Sequence, residues 1–462
     1  MILSEENQNR VRLAKAAAEK QDVEESVRLS NKILNEVFDE PNALYFLGQA
    51  FLDAQKIGIA QVIFRRLIEL QPDRQEVWNE LGRCYQENQD LEVGYKCFQR
   101  SLHYSPRSVH ALNNMALLHI NQNEPEEAIE LVSKAMALGP NPGEELDALE
   151  NKALAHLALC EWEEGWKLYE HTLGHNKHRK ERLYGEPKRW EGEKNKTVVC
   201  YGEQGLGDEI SFSSCIPDLI RDSKKVVIDC DPKVSGLFKR SFPEADVYGT
   251  RYKTDNEWPT KYSFDSRVAL SSLPKYYRNK TEDFPGTPYL VSDLERRVQW
   301  RALLDTLPGL KVGIAWNGGL TVTGRLRRSL KLDDLLPILA QRASFVSLEY
   351  NDASEEIDRL EKQRGIKVHQ WKRATLTEDY DDTAALVSEL DLVISVTTAV
   401  IHLCGALGKE CWTMVPPRPR WFYGLKGDRV PWYNSVELYR HYGKWPIHLL
   451  ARRLRCRVSS RA

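Results

Sequence analysis

Apolar positions in the first third of the chain follow a helical period, and the pattern returns every 34 residues. Three prolines keep this step, and so do three sets of apolar or small residues. These are Pro72, Pro106 and Pro140; Leu47, Leu81 and Met115; Gly48, Gly82 and Ala116; and Ala60, Gly94 and Ala128. Repetition at a fixed period of this length indicates stacked helical hairpins, with small residues where two helices approach closely. We predict five hairpins over residues 7–174, beginning near residues 7, 41, 75, 109 and 146.

The segment 175–196 lacks this period and is predicted to be a linker. Basic residues in it are interleaved with glutamates, so we expect a solvated connection rather than a phosphate-binding segment. The basic residues are Lys177, Arg179, Lys180 and Arg182.

Beyond residue 196, short apolar runs alternate with amphipathic stretches. Their length and β-branched content indicate buried parallel strands, and the alternation with helices indicates doubly wound sheets. The runs lie at 197–201, 226–229, 311–316, 345–348, 392–396 and 410–415. We predict an α + α/β protein with two Rossmann-like domains, at 197–292 and 293–435, and a closing helix and tail at 436–462. Ligand is expected between the two domains, beyond the carboxyl ends of the strands.

Composition and charge narrow the classes of function. The 65 Lys and Arg residues nearly balance the 67 Asp and Glu residues, which gives a net charge of -2 and no general attraction to nucleic acid or an anionic membrane. We expect no membrane span and no leader peptide, since apolar runs are short and the chain opens onto Ser-Glu-Glu-Asn (4–7) rather than onto a basic and then apolar segment. Nine cysteines without a C-x-x-C pair favour neither a disulfide framework nor a zinc site, so a cytoplasmic location is expected.

Most motif searches of the sequence are negative, including those for serine hydrolases, P-loop proteins and zincins. Two Asp-x-Asp triplets, at 229–231 and 379–381, have the oxygens that could hold a divalent cation. The first ends a strand and the second opens a helix, so capping and turn roles are favoured and no metal is expected.

Two segments place polar groups where a strand ends. Residues 201–210 form a glycine-rich turn that leads into a helix, with Asp208 near the helix start. Residues 393–409 form a strand, a hydroxyl-bearing cap and a short helix that contains His402. Free backbone N–H groups at 398–400, together with the helix dipole, predict an anion site. The alternatives are that Asp208 only caps its helix and that His402 is a buried core histidine.

The repeats resemble tetratricopeptide repeats, and the later motifs resemble those of the heptosyltransferase-like glycosyltransferases of the GT-B fold. Within that family the resemblance is to bacterial and phage proteins in which this domain follows tetratricopeptide repeats. The motifs are E-Q-G-L-G-D (203–208), W-N-G (316–318), R-R-S-L (327–330), D-D-T-A-A-L (381–386), T-T-A-V-I-H-L-C-G-A-L-G-K (397–409) and V-P-W-Y (430–433). The chain departs from the family at Thr397, where aspartate is usual.

The resemblance implies an inverting, metal-independent transferase that moves a sugar from a nucleotide-sugar donor to a hydroxyl of a protein or glycan acceptor. It implies that Asp208 is the catalytic base and that Arg328 binds the donor phosphates; Arg328 could instead be a surface arginine. Further donor-binding residues would be Thr397, Thr398, Ala399 and His402, and the acceptor-side loop would contain Gln204, Gly205 and Gly207. The repeat groove would recruit the acceptor or another protein partner, and homo-oligomerisation is open. The rival hypothesis is a non-catalytic scaffold, which Thr397 favours, whereas the intact G-L-G-D turn favours the enzyme.

Overall fold

The computed structural model describes residues 4–20, 22–175, 179–253, 255–319 and 325–460. The chain divides into two compact units, Met1–Ala155 and His156–Ala462. Within the described residues, no helix has the length and apolar character needed to cross a bilayer.

Ten helices make up the N-terminal part of the described chain. They are α1 (Glu5–Glu19), α2 (Val23–Glu36), α3 (Pro41–Asp53), α4 (Ile57–Leu70), α5 (Gln75–Glu87), α6 (Leu91–Tyr104), α7 (Val109–Gln122), α8 (Pro125–Met136), α9 (Pro142–Ala158) and α10 (Trp162–Glu170). The helices pair in sequence and each pair begins close to a predicted repeat start, so the helical solenoid is confirmed. The helix α9 runs across the division between the units, and α10 belongs to the second unit.

Small residues let the two helices of a hairpin touch. A Cβ atom added at Gly82 would lie 2.5 Å from the ring of Phe98, and one added at Gly48 would lie 2.7 Å from the ring of Phe64. Both phenylalanines are fully buried. The repeat pattern therefore records a requirement of packing, in which each glycine receives a ring from the next helix.

The second unit contains two sheets. The first has five parallel strands in the order β1-β5-β2-β3-β4. Its strands are β1 (Lys188–Arg189), β2 (Thr197–Tyr201), β3 (Lys225–Asp229), β4 (Asp246–Tyr248) and β5 (Ser266–Ala269), and its helices are α11 (Leu206–Phe212), α12 (Ile216–Asp222), α13 (Ser235–Ser241) and α14 (Pro274–Tyr277).

The second sheet has seven strands in the order β11-β12-β10-β9-β6-β7-β8, parallel except for the β11 and β12 pair. Its strands are β6 (Leu310–Ala315), β7 (Ala343–Ser347), β8 (Val368–His369), β9 (Leu392–Val396), β10 (Cys411–Val415), β11 (Arg429–Val430) and β12 (Tyr433–Arg440). Its helices are α15 (Leu294–Leu304), α16 (Arg325–Arg328), α17 (Leu336–Leu339), α18 (Ser354–Arg364), α19 (Lys372–Thr375), α20 (Tyr380–Glu389), α21 (Ala399–Leu407) and α22 (Ile447–Ser459). The predicted α/β region with parallel sheets is thus confirmed.

Six strands are missing from the sequence prediction, namely β1, β4, β5, β8, β11 and β12. Three of them are only two residues long, and β5 and β12 mix polar with apolar residues. A strand with one face toward water lacks the continuous apolar run that marks a fully buried strand. The strand β12 extends the second sheet past residue 435, where a closing segment was predicted.

The linker is only partly the solvated connection that its composition suggested. Arg179 is 1% exposed, and its guanidinium donates to Ser271 Oγ (2.7 Å) and Thr172 Oγ1 (2.8 Å). The buried carboxylate of Glu203 lies 3.7 Å from Arg179 Nε. The expectation for Arg179 was therefore wrong, because its acidic partner comes from a distant strand end. Lys177 lies outside the described residues.

Candidate functional site

The two segments singled out in the sequence meet in the second unit. The helix α11 follows β2 and α21 follows β9, so both helices start at the carboxyl ends of parallel strands. A Cβ atom added at Gly207 would lie 3.0 Å from His402 Cδ2 and 3.4 Å from Ala399 Cα. Glycine at 207 is thus needed for α11 to pack on the first turn of α21. This contact brings Asp208 into the surroundings of His402.

Asp208 lies half-buried in the first turn of α11. The residue before that helix, Gly205, is its N-cap, so Asp208 does not hold the capping position. In the described part of the chain, the Asp208 carboxylate accepts no hydrogen bond and forms no ion pair. Its charge acts electrostatically on two nearby titratable groups, His402 and Arg328. The carboxylate is therefore available to a ligand.

The start of α21 has the features of an anion site. Thr398 is the N-cap, and its side chain makes no capping hydrogen bond. The preceding residue, Thr397, is 1% exposed, and its Oγ1 has no hydrogen-bond partner among the described residues. Main-chain N–H groups at this end of a helix carry partial positive charge. An anion bound here would accept hydrogen bonds from those N–H groups.

Arg328, the last residue of the short helix α16, reaches the start of α21. Its Nη1 donates to the carbonyl of Thr397 at 3.0 Å. Burial lowers the pKa of Arg328 from its usual value, whereas Asp208 acts in the opposite direction. The surface-arginine alternative therefore does not describe Arg328, which lies half-buried against the predicted anion site.

His402 is nine-tenths buried, one turn into α21. Its Nδ1 lies 3.3 Å from Tyr433 Oη, and its ring packs edge-on against Phe422 with centroids 4.6 Å apart. Burial lowers the pKa of His402 to about 4, with further lowering by Arg420 and Arg328 and an opposing effect of Asp208. The imidazole is therefore neutral near pH 7. Tyr433 belongs to the V-P-W-Y motif, so contact with α21 accounts for the last residue of that motif.

Two charged residues of the site were not found from the sequence. Arg420 is exposed on the loop after β10 and acts electrostatically on both His402 and Arg328. The sequence feature from which Arg420 could have been identified is a basic, proline-rich loop directly after a buried strand. Glu349 follows β7 and is 1% exposed. The sequence feature from which Glu349 could have been identified is an acidic residue at the end of a buried apolar strand.

Glu349 lines a pocket of about 860 Å³ at the carboxyl ends of β6 and β7. One carboxylate oxygen, Oε1, accepts from the backbone N–H of Trp316 (2.6 Å) and of Asn317 (2.9 Å). The other oxygen, Oε2, is buried without a hydrogen-bond partner among the described residues. Burial raises the pKa of Glu349. The backbone of the W-N-G motif therefore fixes the orientation of the Glu349 carboxylate at this pocket.

Other motif residues have structural partners. Asp381 pairs with Arg240 of α13 at 2.9 Å, and Asp382 accepts from Trp300 Nε1 at 3.0 Å, which accounts for the D-D-T-A-A-L motif. Asp231 and Asp379 accept backbone N–H groups at helix starts, as the capping prediction required. Among the described residues, no group of three or more His, Cys, Asp or Glu side chains could hold a metal ion.

Gln204 lies in the predicted acceptor-side loop, but its side chain turns toward α10. Its Nε2 donates to Tyr169 Oη at 3.0 Å. The neighbouring Glu203 is held by Ser271 and Arg179. The turn that carries Asp208 is therefore anchored by buried polar contacts on its amino-terminal side.

Comparison with known proteins identifies the repeats. Residues 45–94 match the tetratricopeptide repeat family model, which confirms the repeat type predicted for the N-terminal helices. Protein FlbA of Caulobacter vibrioides is 29% identical over 418 residues, covering 86% of this chain and 70% of its own. The peroxisomal targeting signal receptor of Saccharomyces cerevisiae is 26% identical over 101 residues, 22% of this chain and 16% of the receptor.

Among solved structures, the tetratricopeptide protein TTC0263 of Thermus thermophilus covers 36% of this chain and 88% of its own, with 19% identity and a TM-score of 0.33. The Pseudomonas aeruginosa protein pilF covers 37% of this chain and 76% of its own, with 16% identity and a TM-score of 0.32.

Proposed function

We propose that the chain is a GT-B glycosyltransferase that transfers a sugar from a nucleotide-sugar donor to a hydroxyl of a protein or glycan. One observation carries the proposal. Asp208, whose carboxylate has no hydrogen-bond partner among the described residues, lies in the first turn of a helix that packs on the first turn of α21. The residue before the N-cap of α21, Thr397, has a buried hydroxyl without a partner in the described chain, and its carbonyl accepts from Arg328. A carboxylate that can act as a base, next to a site for the leaving phosphate, is what displacement by an acceptor hydroxyl requires.

The donor would bind along the second sheet. Its phosphates would accept from the N–H groups at the start of α21, from Thr397 Oγ1 and from the Arg328 guanidinium. Thr397 directly precedes the N-cap of α21, and Arg328 is hydrogen-bonded to the Thr397 carbonyl. Its nucleoside would occupy the pocket lined by Glu349, where the free Oε2 would accept from a ribose hydroxyl or a base N–H. Charge-assisted hydrogen bonds of this kind are about twice as strong as neutral ones.

The reaction would be a direct displacement. Asp208 takes the proton of the acceptor hydroxyl while the acceptor oxygen forms a bond to the anomeric carbon. The bond between that carbon and the phosphate oxygen breaks, and its electron pair leaves with the nucleoside diphosphate. Arg328 and the helix start stabilise the negative charge that develops there.

The tetratricopeptide repeats would recruit the acceptor or a partner protein. Repeats of this kind stack into extended concave surfaces that suit an extended polypeptide. One relative is named as a targeting signal receptor, which is consistent with such a role.

A donor screen tests the proposal directly. Nucleotide sugars with different bases are tested for binding by calorimetry and for slow hydrolysis or transfer. With a donor in hand, Asp208→Asn should lower turnover by about 10²–10⁴-fold and leave donor affinity nearly unchanged. The matched control is Asp255→Asn, which changes an exposed acid of the same unit. Near-normal turnover in Asp208→Asn would remove Asp208 from the chemistry.

The donor side has its own test. Arg328→Gln should weaken nucleotide binding by roughly 1.5–3 kcal/mol if the guanidinium contacts the phosphates, whereas Arg364→Gln at an exposed helix end should not. Equal affinities for the two variants would contradict the phosphate contact.

A second candidate is a scaffold that keeps this fold without catalysis. It is favoured by Thr397, which stands where the family resemblance places aspartate. A chain that binds a protein partner through its repeats but neither binds nor turns over any donor would support the scaffold.

A further inference from the structure

The side chain that follows Asp208 along the chain is anchored at the ends of two strands. Glu209 is 1% exposed. Its Oε2 accepts from the backbone N–H of Asp231 at 2.9 Å, and its Oε1 accepts from Nη1 of Arg251. Asp231 comes two residues after β3, and Arg251 comes three residues after β4. The Glu209 carboxylate thus ties the first turn of α11 to the carboxyl ends of two neighbouring strands.

Arg251 and Asp231 are themselves joined through a tyrosine. Nη2 of Arg251 donates to Tyr252 Oη at 2.6 Å, and the Tyr252 hydroxyl donates to Asp231 Oδ2 at 2.9 Å. Charge-assisted hydrogen bonds of this kind are the strong ones in proteins. Since each oxygen of Glu209 already has a partner in this closed network, Glu209 is a fixed support and does not face a ligand.

A glycine leaves the space that the Glu209 side chain occupies. Gly202 directly follows β2, and a Cβ atom added there would overlap the Glu209 carboxylate. The N–H group of Gly202 donates to the carbonyl of Asp229, the last residue of β3, at 2.9 Å. The Glu209 side chain therefore lies across the end of β2 as well, and a third strand end fixes its position.

The preceding residues of this turn have no comparable anchor. The N-cap, Gly205, makes no side-chain capping hydrogen bond, and Gly207 has no side chain. Within the described chain, the Asp208 carboxylate accepts no hydrogen bond either. Successive side chains of an α-helix point about 100° apart. An anchor that fixes the direction of Glu209 therefore also fixes the direction of Asp208.

We propose that Glu209 is the positioning residue for Asp208. By holding its carboxylate on the ends of β3 and β4, Glu209 sets the rotation of α11 and so turns Asp208 toward the start of α21. The inference rests on the proposed function, in which Asp208 is the base. Glu209 takes no part in the proton transfer, because both of its oxygens are used by the fold.

Hydrogen exchange tests the anchor without any ligand. Burial raises the pKa of Glu209 to about 7, against the opposing effect of Arg251, so the measurements are made at pH 8.5, where the carboxylate is charged. Glu209→Gln keeps the shape of the side chain but removes the charge that Arg251 binds. We expect the backbone amides of α11 to exchange about 10-fold faster in this variant. Unchanged exchange in α11 would overturn the proposal.

A matched control is Glu389→Gln. Glu389 also belongs to the second unit, its side chain is 7% exposed, and its carboxylate binds two arginines of α15 at 2.6 and 2.7 Å. This variant loses the same kind of ion pair at the end of α20 and should leave exchange in α11 unchanged. Faster exchange in α11 of both variants would mean a general loss of stability and would contradict a specific anchor.

A second variant displaces the same carboxylate without changing its charge. Gly202→Ala places a methyl group where the Glu209 carboxylate lies. Exchange in α11 should rise in Gly202→Ala as in Glu209→Gln, so the test remains valid if one of the two variants does not fold. A folded Gly202→Ala with wild-type exchange in α11 would refute the anchor.

Kinetics with a donor and acceptor from the screen test whether Glu209 acts through Asp208. Glu209→Gln should lower kcat by about 10-fold and change donor affinity by less than about 2-fold. In an Asp208→Asn background the same change should cost less than about 2-fold, because the side chain that it misdirects is no longer a base. A 10-fold loss in both backgrounds, or an equal loss of donor affinity, would mean a merely structural role.

A conservative variant gives an independent check of the ion pair. Arg251→Lys keeps a cation beside Glu209 and should retain more turnover than Arg251→Gln, which leaves the buried carboxylate without one. Equal turnover in the two Arg251 variants would contradict a role for the charge.

These results are distinguishable from failure of the proposed function. If wild-type protein turns over no donor, the transferase proposal fails, and the exchange data still decide whether Glu209 holds α11. If turnover depends on Asp208 but is the same in Glu209→Gln as in wild type, only the positioning proposal fails.

Discussion

The hydroxyl of Thr397, one residue before the N-cap of α21, is buried, and among the described residues it has no hydrogen-bond partner. Leaving such a group unsatisfied costs about 1–3 kcal/mol. Ser395, two residues earlier in the same segment, is equally buried, but its Oγ donates to the carbonyl of Val396 at 2.7 Å. The two residues therefore allow a comparison between a buried hydroxyl without a partner in the described chain and one that the fold uses.

Thr397→Val should leave the free energy of unfolding unchanged or raise it by up to about 1 kcal/mol, because the lost hydroxyl has no partner and the shape is kept. Ser395→Ala should lower it by about 1 kcal/mol. Urea unfolding measures both. Pyrophosphate binding should weaken in Thr397→Val and stay unchanged in Ser395→Ala. Greater destabilisation by Thr397→Val than by Ser395→Ala would show that the Thr397 hydroxyl is used by the fold.

Acid should destabilise the protein through His402. Burial lowers the pKa of His402 in the folded chain to about 4, whereas an unfolded histidine titrates near 6.5. Between pH 4 and 6.5 the unfolded chain binds one more proton at His402 than the folded chain does. The stability that comes from the lowered pKa is therefore fully present above about pH 6.5 and is lost as pH falls toward 4. The charged groups acting on the ring are Asp208, Arg328 and Arg420.

Between pH 7 and 4.5, wild-type protein should therefore lose about 2–3 kcal/mol more stability than His402→Asn does. Urea unfolding of both proteins at several pH values gives this difference. Parallel stability curves for the two proteins would mean that the pKa of His402 is not lowered by folding.

At the scale of elements, the helical hairpins depend on small residues at fixed positions. Gly82 of α5 lies against the ring of Phe98 in α6, so even a methyl group there meets a fully buried side chain. Gly58 in the first turn of α4 is exposed, and an added Cβ atom would meet nothing within 4 Å. The same residue type thus has a packing role at one site and none at the other.

Gly82→Ala should be destabilising by roughly 1–3 kcal/mol, because the core must shift to admit the methyl group. Gly58→Ala should be neutral or stabilising by up to about 1 kcal/mol, because alanine loses less backbone freedom on folding. Thermal unfolding checks the sign, and hydrogen exchange in 75–104 localises the Gly82 effect. Equal melting temperatures for the two variants would rule out the close-packing explanation.

At the scale of the whole second unit, the two sheets are joined by side chains that the sequence places far apart. Arg240 of α13 binds Asp381 of α20 at 2.9 Å, and an added Cβ atom at Gly236 would lie 2.5 Å from the same carboxylate. Trp166 of α10 donates to the carbonyl of Arg278 and packs edge-on against Trp432. The position of Asp208 relative to α21 therefore depends on contacts outside the candidate site.

Asp381→Asn should lower the stability of the second unit by about 1–3 kcal/mol, because it leaves a partly buried guanidinium with a weaker partner. Glu92→Gln, which breaks an exposed ion pair with Lys96, should change stability only slightly, as is usual for exposed pairs. Hydrogen exchange in 235–241 and 380–389 reports on the first variant. Unchanged exchange in both segments would show that the Arg240 pair does not hold the sheets together.

The sequence by itself determined the helical repeats, the strands that are buried on both faces, and the two turns that carry Asp208 and Thr397. These features depend on local periodicity and on residues adjacent in the chain, which a sequence displays directly. Hence the hairpin starts agree with the 34-residue step, and β2 and β9 are found where the apolar runs lie.

Only the tertiary structure decided which distant groups meet. It buries Arg179 against Glu203, pairs Asp381 with Arg240, and brings the charge of Arg420 close to His402. It also places the His402 ring against Tyr433 of β12. Burial and charge depend on neighbours from every element packed around a residue, and periodicity along one segment carries no information about them.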